Sequence, residues 1–233
     1  MNRPMNFDYY LFDLDNCLLY IPNPGEHFDN VLLKTFNKLS NKNILPSRDE
    51  RNKFWSAGED YLKLLKEGGI TDLENFWKYF DKIDFEKRKI LVEKEKIHLF
   101  RDVYSVLKDL QRADKKLAII SNTADYIVEY CLKEFKISHL FHECFGLGYD
   151  KDQTFAKPSP NGILTVLKKL NFKSNDSRAI MIGDSIADIF AAKRANIKAC
   201  LIKRDLNKYS KGFNNWKYKP DFVIEHLDEL FQL

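Results

Sequence analysis

The segment YYLF, Tyr9 to Phe12, is a short apolar run that stops at Asp13, and the same design recurs along the chain. Leu117–Ile120, Cys144–Leu147, Ala179–Ile182, Ala199–Ile202 and Phe222–Ile224 are further apolar runs of strand length. Helical patterns lie between them, near Val103–Ala113, Tyr126–Phe135, Asn161–Leu170 and Ala187–Ala195. Continuous apolar strands alternating with helices predict βαβ units. The expected fold is therefore α/β, a Rossmann-like, doubly wound parallel sheet covered on both faces.

The stretch from about Pro22 to His98 breaks this alternation, having helical periodicity and almost no strand signal. Phe28, Val31, Leu32, Phe36 and Leu39 recur at helical spacing, as do Tyr61, Leu62 and Leu65, then Phe76, Trp77 and Phe80. Gly68-Gly69 marks a break, and Thr71 or Asp72 a new helix start. This organisation predicts a core from residues 1–20 and 99–233, interrupted by a helical cap over 21–98. The cap aromatics are read as its own core, and the mixed-charge run Glu86–Lys96 as a solvated helix face.

Four groups of polar residues follow apolar strands: Asp13 and Asp15 after YYLF, Ser121 and Asn122 after LAII, Lys157 in the loop after CFGLGY, and Asp184 and Asp188 after AIMIG. In open α/β sheets, ligands bind beyond the carboxyl ends of the strands, so all four groups are expected to line one crevice. Asp13 and Asp15 would repel each other at the mouth of a buried strand unless a cation neutralises them. With Asp184 they make a set of hard oxygen donors suited to Mg²⁺, and Lys157 adds a second positive charge able to hold a phosphoryl oxygen. The Ser121–Asp125 segment, at a predicted helix start, offers a hydroxyl and backbone N–H groups to an anion. Taken alone, Ser121 or Thr123 could be only a helix cap.

At these residues the chain resembles the haloacid dehalogenase-like hydrolase superfamily, in particular its phosphoglycolate-phosphatase-like members. The motifs that carry the likeness are FDLDNCL, IISNT, AKPSP and MIGDSIAD, spread from Tyr9 to about Ile202. The resemblance implies that Asp13 is the nucleophile, giving an aspartyl-phosphate, and that Asp15 is the general acid and then the base for water. It implies that Ser121, the Asn122 region and Lys157 hold the phosphoryl group. Asp13, the main-chain carbonyl of Asp15, and Asp184 would bind Mg²⁺, with Asp188 in support through water or Lys157. The substrate expected on this basis is a small phosphorylated metabolite, with the helical insertion as a cap over the crevice.

Two residues depart from the usual DxDGT form of the first motif: Asn16 stands for Gly and Cys17 for Thr. Asn16 fits if its backbone is left-handed, and Cys17 reads as a small buried packing residue. Haloacid dehalogenation uses the same nucleophile but lacks the second acid, so Asp15 argues against it. A phosphomutase, and a non-catalytic binding module on the same fold, stand as alternatives.

Composition narrows the partners. There are 38 basic and 34 acidic side chains, a formal charge of +4, too small an excess to demand a polyanion. The basic, aromatic-rich segment Lys203–Lys219 reads as a surface connection rather than a nucleic-acid contact. Cys17, Cys131, Cys144 and Cys200 are widely separated, which suggests neither a zinc cluster nor a disulfide framework. With no signal-like or membrane-spanning run, a cytoplasmic location is expected. The oligomeric state is not indicated.

Overall fold

In the computed structural model, which describes residues 6–54, 60–175, 178–206, 208–209 and 212–233, the chain forms two compact units. One runs to Tyr20 and resumes over His98–Leu147 and Asp152–Leu233; the other comprises Ile21–Ile97 with Gly148–Lys151. The short return of residues 148–151 to the helical unit is absent from the sequence expectation.

The first unit is built on six parallel strands: β1 (Tyr9–Phe12), β4 (Lys116–Ile120), β5 (Glu143–Phe145), β6 (Ala179–Gly183), β7 (Lys198–Ile202) and β8 (Phe222–Ile224). Their order in the sheet is β5-β4-β1-β6-β7-β8. All four residues of β1 are buried, because it is central and both of its faces are covered. Four helices connect the strands: α5 (Val103–Arg112), α6 (Asp125–Glu134), α7 (Asn161–Lys169) and α8 (Ile186–Arg194). On one face Leu11, Ile120, Met181 and Leu201 pack against Ile163, Val166 and Leu167 of α7 and Ile189 and Ala192 of α8. Burying each such aliphatic side chain contributes about 1.5–3 kcal/mol.

Strand β5 ends at Phe145, two residues before the apolar run does. A Cβ at Gly146 would fall 2.7 Å from the Asp125 nitrogen and 2.9 Å from the Thr123 carbonyl oxygen. The chain therefore turns here against the start of α6, and Leu147 N–H donates to Thr123 instead of extending the ladder. Two short strands, β2 (Leu19–Tyr20) and β3 (His98–Leu99), pair antiparallel where the chain leaves and re-enters this unit. At two residues each they are too short to carry a periodic signal.

The helical unit contains α1 (Pro24–Leu39), α2 (Arg48–Phe54), α3 (Tyr61–Glu67) and α4 (Leu73–Glu93). Val31, Leu32, Phe36, Phe54, Leu65, Ile70, Phe76 and Phe80 form its core, with Tyr61 and Trp77 packed against it. Leu62 departs from the expected apolar stripe and is exposed. Asp72 is the residue that starts α4, accepting a hydrogen bond from Asn75 N–H at 3.1 Å. The charge run Glu86–Lys96 is not uniformly solvated, because Arg88 is fully buried and donates to Asp84 at 2.8 Å beside the Phe28 ring. Asp84 also takes His27 Nε2 at 2.7 Å, so a paired charge network sits where the local pattern suggested a wet face.

The segment Lys203–Lys219 is described except at 207, 210 and 211. Tyr209, Phe213 and Trp216 lie against the main core, and Phe190 of α8 meets both Trp216 and Tyr218 edge-on. These rings are partly buried by that packing. No helix among the described residues is long and apolar enough to cross a membrane.

A polar tie joins distant parts of this unit. Asp102 receives both terminal nitrogens of Arg204, at 2.7 and 2.9 Å, and the Leu227 N–H at 2.7 Å. Burial alone would raise its pKa, but the guanidinium and the N–H outweigh it and hold the carboxyl below its ordinary value. A depressed folded-state pKa contributes stability above the unfolded pKa, and that contribution fades as pH falls through the folded value. Asp102→Asn is expected to lose about 1–3 kcal/mol at neutral pH. Urea unfolding at several pH values should show the gap from the wild type closing below about pH 4.

Candidate active site

Strand β1 lies between β4 and β6, and Phe12 is in register with both Ile119 and Ile182. The next residues, Asp13, Ile120 and Gly183, therefore stand level at three adjacent carboxyl ends. Connections diverge to either side of β1 at this point, which leaves the crevice that open α/β sheets use for ligands.

Asp13 is buried, and its Oδ1 accepts a hydrogen bond from Lys157 Nζ at 2.6 Å. The same ammonium donates to Asp188 Oδ1 at 2.6 Å and to the Ile120 carbonyl at 2.8 Å. Lys157 is in turn held by its backbone, for Asn122 accepts from its N–H at 2.8 Å and donates to its carbonyl at 3.0 Å. The Asn122 side chain thus fixes the lysine loop.

Asp184 and Asp188 owe their spacing to the start of α8. Ser185 is the N-cap, and Asp188, three residues on, closes a capping box. Asp188 Oδ2 accepts from Ser185 N–H at 3.0 Å and from Ser185 Oγ at 2.5 Å, while Oδ1 faces Lys157. Asp188 is therefore supported directly by Lys157. Asp184 precedes the cap, and its Oδ2 accepts from Lys208 Nζ at 2.5 Å.

Asp15 sits inside a tight turn in which Leu18 and Leu19 N–H groups donate to Leu14 O at 2.9 Å each. Its carboxylate accepts from Thr123 Oγ1 at 2.9 Å, so Thr123 is a partner of Asp15 and not a helix cap. Asn16 has φ 56°, the left-handed backbone that its place in a Gly position required. Cys17 is fully buried and donates weakly to the Ile182 carbonyl at 3.6 Å. Burial, with Asp13 nearby, holds its thiol well above the ordinary range. Ser121 is buried and its Oγ accepts from Thr123 N–H at 3.2 Å.

Burial is the largest influence on these acids. It pushes Asp13 up to about 8, with Lys157 pulling the other way and Asp188 and Asp184 adding repulsion. Asp184 is likewise raised by burial, only partly offset by Lys208. Burial works against the Lys157 charge, but Asp13 and Asp188 outweigh it and hold its pKa above the ordinary lysine value. The protein's own groups leave this cluster short of positive charge.

A family model for haloacid dehalogenase-like hydrolases matches residues 10–202. The chain belongs to this family. A curated pyrophosphatase, PpaX from Oceanobacillus iheyensis, is 28% identical over 98% of this chain and 97% of its own. PpaX of Bacillus thuringiensis is 24% identical with the same coverage of both chains, 98% and 97%. Among solved structures, CbbY from Rhodobacter sphaeroides in complex with phosphate aligns with a TM-score of 0.69 at 19% identity, over 96% of each chain. YfnB from Bacillus subtilis, solved bound to magnesium, aligns at 0.59 and 20% identity over 97% of each chain. This haloacid dehalogenase-like hydrolase is an enzyme of the phosphatase kind.

The donor set fits a hard divalent cation. Asp13, Asp184 and Asp188 each offer an oxygen, all within 4.8 Å of one another. The Asp15 carboxylate is not in this group. Both Asp188 oxygens already serve Ser185 and Lys157. Asp13 Oδ2 and Asp184 Oδ1 take no hydrogen bond among the described residues.

Sequence reasoning missed Lys208, the reassigned role of Thr123, and the reason for Gly183. A Cβ on Gly183 would lie well under 3.0 Å from the Asp188 carboxyl carbon. Gly183→Ala is expected to displace Asp188 from Lys157, with an overpacking cost of about 1–3 kcal/mol. Thermal unfolding measured beside phosphatase turnover should show activity falling at least about tenfold in protein that still folds.

Proposed function

We propose that the chain is a Mg²⁺-dependent phosphatase acting on a small phosphorylated metabolite through an aspartyl-phosphate on Asp13. The observation that carries the reading is the buried Asp13 at the end of β1, 2.6 Å from Lys157 and grouped with Asp184 and Asp188 within 4.8 Å. An Asp13 oxygen forms a bond to phosphorus while the ester P–O bond breaks, and the departing oxygen takes a proton from Asp15. Water then attacks the phosphorus and gives its proton to Asp15; phosphate leaves, and Asp13 is restored. Thr123 holds Asp15 at 2.9 Å and so orients the proton donor.

Phosphoryl transfer asks the protein mainly to position groups and to neutralise charge on the equatorial oxygens. Mg²⁺ held by Asp13, Asp184 and the main chain of Asp15 would supply the charge that this acid-rich cluster lacks. Lys157 and the Ser121 segment are assigned to the phosphoryl oxygens. Choice of leaving group is assigned to the helical unit. Among the described residues Cys17, Cys131, Cys144 and Cys200 form no disulfide, which fits a reducing, cytoplasmic compartment.

A second substrate reading, inorganic pyrophosphate, is favoured by PpaX, which is 24–28% identical over 98% of this chain. The leaving group would then be a phosphate oxygen, with the same two carboxylates in the same roles.

Phosphate release from p-nitrophenyl phosphate, phosphoglycolate, pyrophosphate and a wider metabolite panel tests both readings. Turnover with Mg²⁺ that disappears in EDTA is expected. Asp13→Asn should cut turnover by at least about a thousandfold. Undiminished activity in that variant would remove Asp13 as nucleophile, and no release from any compound would sink the phosphatase assignment.

A further inference from the structure

Two ammonium groups face the acidic cluster, and they are held very differently. Lys157 makes three hydrogen bonds with its Nζ, and its side chain is 5% exposed. Lys208 makes one, to Asp184 Oδ2, and its side chain is 39% exposed. Lys157 cannot leave without stranding two buried carboxylates, whereas Lys208 can move its charge to water at small cost. The base of Lys208 is nonetheless fixed, since Tyr209 beside it packs edge-on against Trp216 at 4.9 Å.

Charge balance distinguishes them further. Asp13, Asp184 and Asp188 carry −3 when ionised, and Lys157 with Lys208 returns +2, leaving −1. A divalent cation together with Lys157 alone brings the sum to zero. Lys208 is then surplus, an ammonium beside a dication that shares its carboxylate, and the two repel.

We propose that Lys208 is a built-in competitor of the divalent cation: it neutralises Asp184 when no metal is bound and must give up that carboxylate for Mg²⁺ to bind. This rests on the metal reading given above and adds a residue to it. By linkage, whatever the Lys208–Asp184 pair contributes to the metal-free protein is subtracted from metal affinity. The pair would set the Mg²⁺ concentration at which the site fills, and would keep Asp184 from standing as an uncompensated buried charge below it.

The test is Mg²⁺ titration by calorimetry into EDTA-stripped and dialysed protein, with no substrate present. Lys208→Met and Lys208→Gln should bind Mg²⁺ about tenfold more tightly than the wild type, and Lys208→Arg, which keeps the charge, much as the wild type does. Thermal unfolding gives an independent readout: the neutral variants should melt lower than the wild type in EDTA and gain more on adding Mg²⁺. Equal or weaker Mg²⁺ binding by both neutral variants, with the wild type binding normally, overturns the competitor role and leaves the metal site intact. Absence of Mg²⁺ binding in all four proteins overturns the metal reading itself, and this inference with it.

Discussion

The Lys157 ammonium is the contact on which the site depends. A buried lysine without partners would lose its proton or unfold its surroundings, since burial penalises the charged form. Here Asp13, Asp188 and the Ile120 carbonyl share its three protons at 2.6, 2.6 and 2.8 Å. Those lengths tie together the end of β1, the end of β4 and the first turn of α8. Each partner is itself constrained: Asp188 by the Ser185 capping box, Lys157 by the Asn122 amide, and Asp13 by its N–H bond to Ile182 O at 2.9 Å. Removing the Lys157 ammonium would leave two buried carboxylates uncompensated, which costs more than the lost contacts.

The sheet makes this arrangement possible with little backbone strain. Because β1 pairs with β4 on one side and β6 on the other, three strand ends open toward one crevice. Asp188 can then approach Gly183 closely, since glycine leaves the space that any Cβ would fill. Asn16 turns the chain in a left-handed conformation and keeps Asp15 near Thr123 without a glycine. Cys17 in place of threonine changes a hydroxyl to a thiol against Ile182 and leaves the carboxylates untouched.

Much of the fold was legible because it depends on local chemistry. Apolar runs bounded by polar residues marked the six parallel strands to within two residues, and the 3.6-residue period marked the helical insertion. Most of the misreadings trace to contacts between distant parts of the chain. Arg88 is written in a charge run yet buried, because Asp84 one turn away and His27 from another helix make the burial affordable. Strand β5 stops early because α6 approaches Gly146, and α6 starts at Asp125, well back along the chain from that glycine. The aromatics of Lys203–Lys219 look available in the sequence and are packed on α8 and the core.

By itself the sequence determined which side chains could do chemistry and which strands would carry them, because strand length and helix period are set by near neighbours. Only the tertiary structure decided how the charges pair. Lys157 meets Asp13 across 144 residues, Thr123 meets Asp15 across 108, and Lys208 meets Asp184 across 24, with α8 and β7 between them. Hydrogen bonds reach about 3 Å, and which groups come that close is fixed by sheet order and helix packing, over distances along the chain that no local pattern records.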